Sequence, residues 1–477
     1  MTGPGKPDPV RTDPYHPLPD SLRSRNGAAD TARRRRMAGA VGVAAGVAVA
    51  VGLVTAVPAG AAAAAPTVEA TAGAGTGARG RPVSPVLLAG DHEVTVAVDI
   101  SPVGVVVGTS NASPPPDIPG GQGEGSGWRW IVGPGGRQLG AQKLVVPGGT
   151  TRVEIAGVTD LGEAGGVVVG AGVTQRQAVR WSVAGTQTIP LTTGPDPEVT
   201  TSAVGPGQWA VYTGGSISGT SAIVARDGAR TELRGTADLD SARIVGVSSI
   251  GGPGTAVLGA VTGVGRGTTS RPVIWRDGAT LTLPTRAMID LPQPSCVSAI
   301  LADGTVAYSG IVSYQPDIGF TRALSVHRGG IPGTEVALPT AGRIGSLGCS
   351  SPDTLSSDGW VAGSLLADSV AGRPATAALW HAPSGGTPTL TTIGVGPGET
   401  ATTAVAVATR GRVVVVATTS DGTRLPYLWS NGARTPLPLP VGWALRTVVE
   451  LTDNGLVLAN VQNAAGAVRP VVWPTGA

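Results

Sequence analysis

The chain has 477 residues, of which 74 are Gly and 40 Pro, with only 3% aromatic residues and a formal net charge of +3. Eight basic and four acidic residues precede Met37, leaving 26 basic against 27 acidic residues in the remainder, which is therefore close to neutral. That balance excludes a basic nucleic-acid surface outside the N-terminal tail, and two cysteines exclude a disulfide-dense scaffold.

Residues 1–36 are Pro-rich and end in the run Arg33 to Arg36, which reads as a disordered basic tail on the cytoplasmic side. Residues 37–57, "MAGAVGVAAGVAVAVGLVTAV", carry no charge; as a helix they extend about 31 Å, enough to span a bilayer with the arginine block held inside. The alternative is the core of a twin-arginine-like export signal, cleaved near the small residues Ala63 to Ala65. Both readings place the C-terminal remainder of the chain across the membrane. Residues 58–81, rich in Ala and Gly, read as a linker, and residues 82–477 as the extracytoplasmic domain.

That domain repeats one pattern eight times. An alternating apolar run, a Gly-containing turn and a second run rich in Val or Ala lead to a segment such as "RPVIWRDGATLTLP" from Arg271, "LPYLWSNGARTPLPLP" from Leu425 or "RPVVWPTGA" from Arg469. Short alternating strands at a period near 50 residues predict a radial all-β array, a β-propeller of about eight, or else seven, four-stranded blades. In the seventh copy the turns fall at Arg410-Gly411, Asp421-Gly422 and Asn431-Gly432, the last two being hairpin dipeptides. One slot of the third strand holds Trp130, Trp181, Val224, Trp275, His327, Trp380, Trp429 and Trp473, so most Trp belong to the framework. The last copy stops after its third strand, while "RPVSPVLLAG" from Arg81 has fourth-strand character; residues 82–89 are therefore expected to pair with the C-terminal strand.

The "ALW" and "VVG" phrases resemble those of bacterial extracellular HAF-type repeats, related in shape to WD40 arrays, although the His-Ala-Phe triplet itself is absent. This resemblance covers residues 82–477 and implies a propeller and an exported location. It carries over no catalytic residue.

Cys296 and Cys349 open the first strands of successive units, 53 residues apart, which predicts a disulfide near the array's axis, worth about 3–4 kcal/mol in the chain-entropy model. No Cys or His lies near enough in sequence to make a metal site there, and no cofactor is expected. His327 and His381 read as strand residues, and Asp99, Asp160, Asp303, Asp358 and Asp453 as turn residues; Asp238 and Asp240 lack the other ligands of a calcium loop. Trp128, Trp209, Trp360 and Trp443 fall outside the common slot and are the candidate ligand contacts, together with the insertions at 111–127 and 312–322. The resulting expectation is a membrane-anchored propeller, not an enzyme, that binds an envelope protein or a cell-wall polymer. A one-pass sensor with a cytoplasmic partner is the alternative, and a secreted propeller hydrolase or lyase the third reading.

Overall fold

The computed structural model describes residues 83–476 apart from internal stretches, the longest being 112–124, 234–242, 285–295 and 367–374. The tail, the apolar segment 37–57 and the linker lie outside the described residues. Among the described residues no helix is long and apolar enough to cross a membrane.

Strands dominate, joined by tight turns. The Asn431-Gly432 pair has φ of 48° and 83°, both positive as a two-residue hairpin turn requires. Six sheets are four-stranded antiparallel meanders in chain order, spanning 150–190, 199–233, 243–282, 296–337, 344–393 and 399–436. A seventh, eight-stranded sheet joins two more, one spanning 94–143 and one spanning 443–474. In that last meander the fourth position is filled from the other end of the array. Val86 and Leu87 pair antiparallel with Val472 and Val471, and Leu88 N donates to Pro470 O at 2.9 Å.

Adjacent meanders pack face to face, because alternation places one set of side chains on each side of a sheet. Val105, Val107 and Leu144 of the first meet Val153, Ile155 and Trp181 of the second. The same relation recurs between fifth and sixth, sixth and seventh, and seventh and eighth. Leu458 and Val472 of the eighth then pack with Ala97, Val106 and Trp130 of the first. Radially packed meanders of this kind make a β-propeller.

Two repeated contacts explain the motif "x-L-P". The leucine ends the fourth strand and is buried: Leu88, Leu144, Leu283, Leu338 and Leu437 are each at most 4% exposed. The residue after it offers its carbonyl to the slot Trp of the next meander. Trp181 Nε1 donates to Val145 O at 2.7 Å, Trp380 to Pro339 O at 2.7 Å and Trp473 to Pro438 O at 2.8 Å. Trp130 of the first meander donates to Ala89 O at 2.6 Å, so the joint between the array's two ends is built like the internal ones.

Cys296 lies in the first strand of the fifth meander and is disulfide-bonded; Cys349 lies outside the described residues. Leu88→Ala is expected to cost about 2–5 kcal/mol by cavity formation at the closing joint, and Leu87→Ala, exposed beside it, under about 1 kcal/mol. Urea unfolding of the full chain measures both, and equal effects would show that the joint contributes nothing to stability.

Candidate functional site

The four Trp singled out by sequence do not converge. Trp443 begins the first strand of the eighth meander and packs on its core. Trp360 begins the second strand of the sixth, at the opposite end of the sheets, with its ring stacked on His381 at 4.1 Å and 16°. That ring also lies against the 409–411 turn, where a Cβ on Gly411 would stand 3.1 Å from the indole. The side chain of Trp209 lies outside the described residues; its backbone pairs with Ala225.

Trp128 is different, because polar groups gather on it. It sits on the third strand, Gly125–Val132, two residues before the latch Trp130, and the two rings stack at 5.9 Å. Its Nε1 donates to Asp91 Oδ1 at 2.9 Å. Asp91 Oδ2 accepts from Ser126 Oγ at 3.3 Å and lies 2.5 Å from Lys143 Nζ. The ammonium of Lys143 lies 6.0 Å above the Trp128 ring, and His92 Nε2 is 3.5 Å from Asp91. Lys143 is 56% exposed and His92 34%, so both reach solvent.

The fold positions this group through the closing joint. Asp91 and His92 lie on the segment that leads from the Val86–Leu87 strand into Val94–Ile100, while Trp128 and Lys143 pair across the third and fourth strands. A Cβ on Gly90 would fall 2.1 Å from Thr95 Oγ1, so the chain bends there against Thr95 and only glycine fits. His92 N donates to Ser110 Oγ, which bonds Thr95 Oγ1, tying the bend to the sheet. Burial acts most strongly on Asp91 and raises its pKa, but the hydrogen bonds from Lys143, Ser110 and Trp128 and the charge of His92 outweigh it. The carboxyl is held well below the ordinary range. The result is a fixed carboxylate, an ammonium and an indole at the surface, suited to a polar, hydroxyl-bearing ligand.

Sequence reasoning missed Asp91, which stands 37 positions from Trp128 on a segment without strand alternation. The carboxylates it did name serve the backbone. Asp99 accepts from Ile100 N and, across the seam, from Val158 N at 2.8 Å; Asp358 accepts from Arg410 N at 2.7 Å, and Asp453 from Thr409 N at 2.9 Å. Asp238 and Asp240 lie outside the described residues. Among the described residues no group of three His, Cys, Asp or Glu could hold a metal ion. His327 is buried in the slot, two residues from Ser325, whose hydroxyl donates to Glu335 at 3.1 Å. Burial and then Glu335 push the neighbouring Tyr308 phenol upward.

No family model and no curated protein matches the chain. Of the resemblance to HAF-type repeats, the coarser part, a β-propeller, is what the fold carries. Among solved structures, the β-propeller domain of the trilobed protease from Pyrococcus furiosus matches at 11% identity and a TM-score of 0.39, over 65% of this chain and 92% of that one. One of two prolyl endopeptidases matches at 12% and 0.40, over 77% of this chain and 45% of that one. A post-proline cleaving enzyme from Rickettsia typhi matches at 10% and 0.41, over 76% and 56%. The chain thus spans about half the length of these two peptidases. The expectation that the chain is not an enzyme is corrected here, because the propellers it is similar to belong to enzymes; at these scores the likeness assigns no activity.

Because Asp91 has its pKa lowered on folding, its contribution to stability is complete above about pH 4, the unfolded carboxyl value, and is lost as pH falls through the lower folded value. Asp91→Asn is expected to lower stability at pH 7 and to flatten the acid limb of the unfolding-temperature profile below about pH 4. Parallel profiles for parent and variant would mean that the carboxylate is not held in this way.

Proposed function

We propose that the chain is a binding module: an eight-bladed propeller, residues 82–477, whose ring is closed by the N-terminal strand and held outside the cytoplasmic membrane by residues 37–57. The Asp91–Trp128–Lys143 group supports this reading most directly. It joins an aromatic ring to a fixed carboxylate and a solvent-reaching ammonium, the combination that recognises a polar ring bearing hydroxyl or acidic groups. A cell-wall polymer presents such groups repeatedly, and an envelope protein carrying them is the other partner of this class. Cys296 and Cys349, the two cysteines of the chain, are proposed to bond to each other, joining fifth and sixth blades.

Co-sedimentation of the full chain with insoluble cell-wall polymer tests the binding role. Trp128→Ala and Lys143→Ala are each expected to weaken retention about tenfold, corresponding to about 1.4 kcal/mol, while Trp360→Ala leaves it unchanged. Retention that all three variants share with the parent would refute the assignment to this surface. Alkylation of the unreduced, denatured chain is expected to label neither cysteine, and labelling of both would refute the pairing.

A further inference from the structure

The two faces of the first meander carry different chemistry. Trp128 and Trp130 lie toward the eighth meander, whereas Arg129, between them in sequence, lies toward the second. The position just before the slot is a core position elsewhere, filled by Ile274, Val326, Leu379, Leu428 and Val472, all buried. Arg129 is 7% exposed there. A guanidinium cannot discharge in a protein, so it keeps a full charge where these five counterparts keep none.

The internal repeat offers a direct comparison. Arg180 holds the same position in the second meander and is partnered by Glu163 at 3.5 Å. Glu163 follows Gly162 at the start of the neighbouring strand; the matching residue after Gly104 is Val105. The carboxylate that answers Arg180 is thus a valine beside Arg129. The Arg129 Nε is buried without a hydrogen-bond partner. Burial alone lowers its pKa. Gln142 is its neighbour on the fourth strand, and the second meander's turn at Gly185, with φ of 73°, runs directly over both. A Cβ there would stand 2.6 Å from Gln142 Nε2 and 3.6 Å from Arg129 Cδ.

We propose that Arg129 anchors an oxyanion-binding site in the seam between the first and second meanders, taking one carboxylate or phosphate group of a ligand. A buried guanidinium N–H left without an acceptor is unfavourable, and a planar guanidinium receives either oxyanion through two parallel hydrogen bonds. The site lies on the opposite face of the sheet from Asp91, so it stands or falls independently of the proposed polymer-binding surface.

Thermal unfolding of the full chain in increasing inorganic phosphate, and separately in acetate, at constant ionic strength, tests the inference. The parent is expected to gain a few degrees, rising with the logarithm of anion concentration, and the anion with the lower half-effect concentration identifies the preferred group. Arg129→Met, which keeps the volume but not the charge, is expected to lose the anion response and to be at least as stable as the parent in anion-free buffer. Val105→Glu, which supplies the carboxylate that Arg180 already has, is expected to suppress the response while retaining Arg129. A parent that responds to neither anion, or an Arg129→Met chain that responds as the parent does, would overturn the proposal.

Discussion

The hydrogen bond from the slot tryptophans Trp130, Trp181, Trp380 and Trp473 to the carbonyl after the preceding fourth strand is the contact on which this architecture depends. A four-stranded meander alone cannot bury an indole, and a propeller seam that buries one must find a partner for its N–H. The carbonyl leaving the neighbouring sheet's outer strand supplies it, with donor–acceptor distances of 2.6 to 2.8 Å at four seams. Each such ring also removes enough apolar area from water to contribute about 4–6 kcal/mol by area. The bond fixes where the ring lies and hence how far each sheet is turned against the last. Because Trp130 makes the same bond to Ala89, the ends of the array are joined by the contact that joins its middle.

Where the slot tryptophan is only partly buried, as Trp429 is, polar satisfaction is rearranged. In the seventh meander the acceptor equivalent to Pro339 O is Gly394 O, which receives Arg434 Nη2. Arg434 is itself held within the seventh meander, bonding Glu399 at 3.0 Å and lying 4.7 Å over the Tyr427 ring. Burial there pushes the Tyr427 phenol up to about 12, against the opposing charge of Arg434. In the fifth meander His327 fills the slot beside a Ser325–Glu335 hydrogen bond, and the disulfide-bonded Cys296 stands on that sheet's inner strand. The four-stranded meander is thus kept whether its slot holds Trp429 or His327.

Most of the fold was legible because each strand obeys a period of two and each turn carries its own residue types. The Trp spacing placed third strands at Gly125–Val132, Arg176–Trp181 and Ala375–His381, and the fourth-strand character of residues 82–89 anticipated their pairing with Val471 and Val472. The site was far less legible. Trp128 could be marked because it falls outside the slot, but its partners Asp91, on a connecting segment, and Lys143, on the fourth strand, share no motif. Trp360 and Trp443 were singled out on the same ground, and the structure turns both to packing. A residue outside a repeat pattern is free of the framework's demands, and only its neighbours in space decide what that freedom is used for.

The closing joint is where those neighbours differ most from the repeat. Every internal meander follows the fourth strand of the one before it in the chain. Residues 89–93 arrive instead from the far end of the chain's array, so nothing in the repeat dictates their composition, and here they carry Asp91 and His92 over a strand that carries Trp128. Asn460 adds a rigid clamp beneath them, accepting from Ala97 N at 2.8 Å and donating to Ala97 O at 3.0 Å. Arg469 reaches back to Glu93 O at 2.6 Å from the other side. A polar surface group is most useful for recognition when its supports do not move. The joint holds these supports through the Val86–Leu87 pairing with Val471 and Val472 and the Asn460 and Arg469 bonds.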